Sequence, residues 1–179
     1  MDTSNTVVID ESGSNLALTR LYGWGPTNER VYQSVPRNWG KNITVLAAVT
    51  LNGVLMESVV YYEGGTTAAI FESWVEQRLI PNLVSGQVVI MDNLSSHKGK
   101  RVRELIEGAK CKLEYLPAYS PDLTPIELVF SKCKSSLRKL GARTKDTLIE
   151  GWEQALSAVK AEEIAGMFRH CGYQLPAQL

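Results

Sequence analysis

Apolar residues recur along this 179-residue chain in short bursts whose spacing changes from one stretch to the next. Val7, Val8 and Ile9 form a brief continuous run, which predicts a first buried strand over 6–9. Positions 11–41 carry Gly13, Gly23, Gly25, Pro26, Pro36 and Gly40 without any period, so a long irregular excursion is expected. Loops of that length inside compact domains are commonly functional. The β-rich stretches 43–50 and 54–61 flank Asn52-Gly53 and predict a hairpin. After Gly64-Gly65, Thr66 or Thr67 can cap a helix whose apolar positions are Ile70, Trp74, Val75 and Leu79, ended by Pro81. The uniformly apolar run 87–91 suits an interior parallel strand, followed by a basic helix from about 98 to Gly108 and a strand over 111–116. A helix from Pro125 to Leu140 shows Ile126, Val129, Phe130, Cys133, Leu137 and Leu140 on one face, with Gly141 to stop it. Two more amphipathic helices are expected over 147–159 and 162–170. This order predicts one α/β domain whose mixed sheet has an antiparallel part, then right-handed crossovers, under a cover of helices.

Composition narrows the class. A hydrophobic fraction of 44%, with four Trp and seven Tyr, argues against disorder. Nineteen basic residues balance nineteen acidic ones, yet 98–145 holds twelve Lys/Arg against five Asp/Glu while the remainder is acidic. That block is either a surface for a polyanion or an ordinary solvated basic face. Three cysteines without a close pair suggest neither a disulfide framework nor a zinc site, as expected of a reducing cytosol. No apolar stretch approaches 18 residues and no signal-peptide pattern is present, so a soluble, intracellular protein without membrane contact is expected.

Three carboxylates sit where predicted elements meet loops. Asp10 follows the first strand, Asp92 follows 87–91, and Glu127 opens the helix after Ser120-Pro121-Asp122-Leu123-Thr124-Pro125. An acid at the end of a buried strand is costly unless paired. Two carboxylates about 4 Å apart repel by roughly 4 kcal/mol at an effective dielectric near 20, so converging acids imply protonation or a bound cation, Mg²⁺ first among hard-oxygen-seeking ions. In open sheets such sites lie beyond strand carboxyl ends where the strand order reverses, which could bring Asp10 and Asp92 together across 82 positions. The 34 residues between Asp92 and Glu127 accommodate a helix, a strand and two short loops, returning the chain to the same sheet end. Glu127 has a competing reading, because Thr124 to Glu127 matches a capping box with Pro125 at the first helical position. Ser131, Lys134 and Arg138 share its helical face, a stripe whose basic members suit either phosphate contacts or intrahelical ion pairs. His97 could touch a phosphate, assist a proton transfer or simply cap the basic stretch that starts at Lys98. Alternation turns Glu11 to the opposite sheet face, away from direct ligation. Trp24 and Trp39 could stack on bases or pack turns, and Asp122 suits a local turn hydrogen bond. A phospho-acceptor receiver domain, which also clusters acids at strand ends, would need them closer together and a Lys where Leu116-Pro117 stands.

Val7-Val8-Ile9-Asp10-Glu11-Ser12, Val89-Ile90-Met91-Asp92-Asn93 with His97, and Tyr119-Ser120-Pro121-Asp122-Leu123-Thr124-Pro125-Ile126-Glu127 together resemble the DDE catalytic domain of Tc–mariner superfamily transposases, particularly those of bacterial insertion sequences. The closing Phe168-Arg169-His170-Cys171-Gly172-Tyr173 is similar to the end of such proteins, so the resemblance spans nearly the whole chain. Thr124 stands where the family has Asn. The resemblance implies a ribonuclease H-like fold with a five-stranded mixed sheet, three strands antiparallel and then two parallel. It implies Asp10, Asp92 and Glu127 as catalytic, metal-binding residues for two Mg²⁺ ions, with Mn²⁺ as a substitute, and polynucleotidyl transfer at transposon ends. Double-stranded DNA, at transposon ends and at a TA-containing target, would be the substrate, met by His97, Lys98, Lys134, Arg138 and Trp24.

The resemblance also sets expectations about partners. A homodimer would form the active complex in the bacterial cytoplasm, at the nucleoid. Family members carry N-terminal helix-turn-helix modules, whereas this chain starts nine residues before Asp10, so residues 1–179 are expected to be a single catalytic domain lacking that reader. A truncated chain or a second reading frame joined by frameshifting would account for the start. The alternative is a catalytically silent remnant that binds DNA or intact transposase and modulates it.

Overall fold

A computed structural model describes residues 3–94, 97–117 and 120–176. Tyr119, which belongs to a motif above, lies outside the described residues, as do Ser95 and Ser96 before His97. Among the described residues six strands form one mixed sheet: β1 (Thr6–Ser14), β2 (Ile43–Thr50), β3 (Gly53–Val54), β4 (Val60–Glu63), β5 (Val88–Met91) and β6 (Lys112–Tyr115). The path runs β3-β2-β1-β5-β6, with β4 also paired to β2. β1 lies antiparallel to β2 and parallel to β5, and β5 is parallel to β6. The expected ribonuclease H-like pattern of three antiparallel and then two parallel strands is therefore present, with its third strand broken. β3 pairs with Val49 and Thr50 and β4 with Ile43–Leu46, because a 3-10 turn over Met56–Ser58 interrupts the edge. Ser58 closes that turn by donating its hydroxyl to the Leu55 carbonyl at 2.7 Å.

β1 is nine residues long rather than the four of its apolar core, since Glu11 to Ser14 keep pairing with β2 up to Ile43. Beyond it, 15–42 makes the expected irregular excursion. Among the described residues five α-helices cover the sheet: α1 (Ala68–Trp74), α2 (Lys100–Gly108), α3 (Pro125–Leu140), α4 (Lys145–Ser157) and α5 (Ala161–His170). Thr67 caps α1 by accepting from the Ile70 N–H at 3.3 Å, and a π-type turn over Val75–Leu79 prolongs that helix. α3 ends at Gly141, whose φ of 63° is the left-handed conformation glycine adopts without strain.

Strand alternation sorts two cores. Val8, Ala47, Val49 and Ile90 meet Ile126, Phe130 and Leu137 of α3, together with Trp152 and Phe168. Val7, Ile9, Leu46, Val89 and Met91 meet Phe71 and Trp74 of α1 and Val102 and Ile106 of α2. Each buried Val, Leu, Ile, Phe or Met among them contributes about 1.5–3 kcal/mol of transfer free energy. Trp152 also donates its indole N–H to Ser14 Oγ at 2.8 Å, pinning α4 to the far end of β1. Ile70 and Leu140, expected on buried faces, are exposed, because Phe71 and Leu137 take the inward positions. Even-numbered residues of β1 thus face α3–α5 and odd-numbered ones face α1 and α2. That parity decides which side chains the site can use.

Candidate active site

Asp10 lies on β1 on the α3 side of the sheet, opposite the small Ala47 of β2. The parallel register pairs Thr6 with Val88, Val7 with Val89 and Val8 with Ile90. Continued two residues, it puts Asp10 level with Asp92, just past the end of β5. α3 packs over β1 and carries Glu127 in its first turn. Strand register and helix placement together turn three acids far apart in sequence toward one sheet end.

Their charges act on one another. Burial first, then the charges of Glu127, Glu11 and Asp92, push the Asp10 carboxyl up to about 8, against a lowering hydrogen bond from the Glu11 N–H at 2.8 Å. Asp10 is only 8% exposed. Lys134, one helical stretch beyond Glu127, is held below the usual lysine range by burial, with Glu127 and Asp10 pulling it back up. Among the described residues no three acidic or histidine side chains close on one point tightly enough to enclose a single ion as they stand. Mutual repulsion opposes closer approach of these acids until a cation neutralises it. The donor set still fits a hard divalent cation, because it offers carboxylate oxygens alone and an acid raised by burial and then by its neighbours' negative charge.

Glu127 is free for such a role. Thr124 makes no side-chain cap bond to the helix; its hydroxyl donates instead to the Ser120 carbonyl at 3.4 Å. The capping box that competed for Glu127 is not formed, and the residue is exposed. Its turn is held from the C-terminal segment, where the Tyr173 hydroxyl donates to the Leu123 carbonyl at 3.0 Å. Asp122 lies exposed in the short 3-10 turn before α3.

His97 is the residue whose environment departs most from its sequence reading. It is 1% exposed and turned inward, where an outward contact with a polymer or a solvated cap is geometrically closed to it. Its Nδ1 contacts Asp92 Oδ1, and its Nε2 stands 2.8 Å from Glu11 Oε2. The second contact is an ion pair off the line of a hydrogen bond, and neither atom has another partner among the described residues. The ring stacks on Phe71 with centroids 4.1 Å apart and planes at 24°. Burial works against the imidazolium, but the contacts with Asp92 and Glu11 outweigh it and raise His97 to about 9. With a carboxylate at each nitrogen, the ring carries both protons. Alternation correctly turned Glu11 away from Asp10; that it would find His97 there was not readable from spacing.

The remaining predicted contacts lie elsewhere. Lys98 is exposed beside His97. Arg138 and Trp24 line a cleft of about 550 Å³ between the excursion and the end of α3, with Arg20, Tyr22, Lys139 and Arg143. Arg143 anchors the excursion by donating to the Leu16 and Leu18 carbonyls, each at 3.1 Å. Trp24, Tyr22 and Tyr32 stand exposed around this basic cleft, an arrangement the sequence alone did not show. Trp39, another predicted stacker, is exposed, and its carbonyl accepts from the Leu16 N–H. The three cysteines are buried and unpaired. Among the described residues no helix is long and apolar enough to cross a membrane.

Residues 5–149 match the family model of the DDE superfamily endonucleases. No curated protein matches the sequence. Among solved structures, the Mos1 transposase paired-end complex with left transposon end superposes with a TM-score of 0.67 at 18% identity, covering 95% of this chain and 52% of that one. The mariner Mos1 paired-end complex with Mg gives 0.69 at 16% identity, covering 94% and 53%. The catalytic domain of Mos1 mariner transposase gives 0.62 at 17% identity, covering 94% and 76%. The fold is that ribonuclease H-like one, and the chain spans about half the length of the Mos1 chains in the two paired-end complexes.

Proposed function

The chain belongs to the DDE superfamily of endonucleases, and we propose that it is the catalytic domain of a transposase that cuts DNA at transposon ends and joins the ends to a target. The observation that carries this reading is the parallel register of β1 and β5, which carried on past the end of β5 brings Asp10 level with Asp92, under an α3 that packs on β1 and holds Glu127 in its first turn outside any capping box. Asp10 and Asp92 would hold divalent cations and Glu127 would complete the ligand set. Two Mg²⁺ ions, or Mn²⁺, would supply Lewis acidity for an in-line displacement at phosphorus. The structures of Mos1 with Mg and with Mn accord with that choice of metal.

The chain's own residues arrange the substrate. Lys134 lies on α3 between Glu127 and Arg138 in sequence, within reach of the charges of both, and offers a charge to a phosphate entering beside Glu127. Arg138, Trp24 and exposed Lys98 extend a surface for double-stranded DNA, and Trp24 presents a ring face on which an unpaired base could stack. A homodimer, a TA-containing target and a helix-turn-helix partner, separate or fused, complete the proposal. Conversion of Asp92 to Asn tests it: the variant keeps the fold and loses Mg²⁺-dependent strand cleavage. Full cleavage by Asp92→Asn refutes the assignment, and a wild-type chain that binds DNA but never cuts it favours the silent-remnant alternative.

A further inference from the structure

We infer that His97 is a positioning residue for Asp92, and that Glu11, Phe71 and His97 form a clamp which fixes the orientation of that carboxylate before any cation arrives. The inference rests on the assignment of Asp92 to the metal site. Asp92 lies one residue past the end of β5, where among the described residues no ladder hydrogen bond restrains it. A ligand at a strand terminus can turn about its own side-chain torsions, and an acid facing other acids is pushed to do so.

Two contacts oppose that rotation. Oδ1 of Asp92 accepts from the Leu94 N–H at 3.2 Å and meets His97 Nδ1. Among the described residues both bonds fall on the same oxygen, leaving Oδ2 for the face it shares with Asp10. Asp10 shows the same division, its Oδ1 taken by the Glu11 N–H. His97 is itself held from three further directions. Glu11 fixes its far nitrogen, Phe71 covers one ring face, and the Tyr115 hydroxyl donates to its carbonyl at 3.3 Å.

Phe71 in turn lies fully buried in α1, so the clamp is tied to the hydrophobic core rather than to the loop alone. Gly99 lets the chain after His97 run close against α1: a Cβ there would stand 2.6 Å from Glu72 Oε1. The clamp reaches across the end of the sheet. Glu11 belongs to the α1 face and Asp10, its neighbour in sequence, to the α3 face, so a single strand supplies a metal-facing acid and the brace for the next one.

Replacement of His97 by Asn, Gln or Ala in the purified chain tests this, with Mn²⁺ affinity measured by electron paramagnetic resonance and melting measured without metal. Asn can place an amide N–H where Nδ1 stands and so restore the bond to Asp92; Gln places its amide nearer Nε2 and serves Glu11 only. His97→Ala is expected to weaken Mn²⁺ binding about 10–100-fold, the range seen when partners of ligating side chains are removed. His97→Asn should recover most of that loss and His97→Gln little of it, whatever their melting temperatures. If His97→Ala does not fold, the Asn and Gln pair decides. Mn²⁺ affinity that is equal in the Asn and Gln variants, or that follows stability alone, overturns the clamp. A wild-type chain that binds no Mn²⁺ overturns the metal site itself and the clamp with it.

Discussion

Conversion of Asp10 to Asn should stabilise the metal-free protein while destroying its site. The side chain is nearly buried, and its carboxyl is pushed from 3.8 to about 8 by burial and by Glu127, Glu11 and Asp92. The folded value lies above the unfolded one, so between those two pH values the native state holds a proton that the unfolded chain has released. Stability therefore falls as pH rises through that window and levels off above about 8. At about pH 7.5 the accumulated cost is on the order of 5 kcal/mol, from 1.36 kcal/mol per pH unit. Asn keeps the shape and the acceptor for the Glu11 N–H without the charge, and removes most of that cost. In a domain of this size each kcal/mol moves the midpoint by roughly 2–4 °C, so a rise of about 10 °C is expected. His97 adds its own fall between 6.5 and about 9, because its folded value is also raised and its contribution, complete below 6.5, is lost as pH climbs. That effect is present in both proteins, so their difference isolates Asp10. Circular dichroism melts in chelator at about pH 5 and pH 7.5, repeated with Mg²⁺, measure both effects. Wild type should gain from Mg²⁺ at the higher pH, and Asp10→Asn should not. A variant that melts at or below wild type at pH 7.5 without metal would refute the reasoning, because the buried charge would then carry no penalty.

Other substitutions separate roles that sequence alone confuses. Glu127→Gln should reduce strand cleavage at least about 100-fold yet change stability by no more than about 0.5 kcal/mol, since the side chain is exposed and closes no capping box; parallel cleavage assays and urea melts check this. Lys134→Ala combined with Arg138→Ala should weaken DNA binding across sequences and lower the slope of log affinity against log salt by about 1 for each phosphate no longer neutralised, as anisotropy titrations would record. Trp24→Ala should leave melting unchanged, because the ring is fully exposed, while weakening binding to DNA with unpaired bases more than to duplex.

Much of the architecture could be read in one dimension because it rests on local physics. Uniform apolar runs mark the central strands, Gly141 and Pro125 bound α3, and Thr67 caps α1 where the helix pattern begins. The three acids were likewise visible as charges placed where apolar runs end. Their convergence could be anticipated from strand order, but it became a register only in three dimensions, when Val8 was found beside Ile90 and Asp10 therefore beside Asp92.

Other features were settled only by the tertiary structure, because they depend on what stands opposite rather than on what stands next. The capping-box pattern at Thr124 was present, yet the hydroxyl donates to the Ser120 carbonyl and accepts no helix N–H, so Glu127 takes part in no capping box. β1 continues past its apolar core because β2 supplies backbone partners for polar residues, and the expected third strand breaks where a 3-10 turn interrupts it. His97 reads as an ordinary polar loop residue until Phe71 and Glu11, 26 and 86 positions upstream, close over it. Periodicity reports which face a side chain takes. Only packing reports which distant side chain it meets there, and in this protein that meeting determines how its second acid is held.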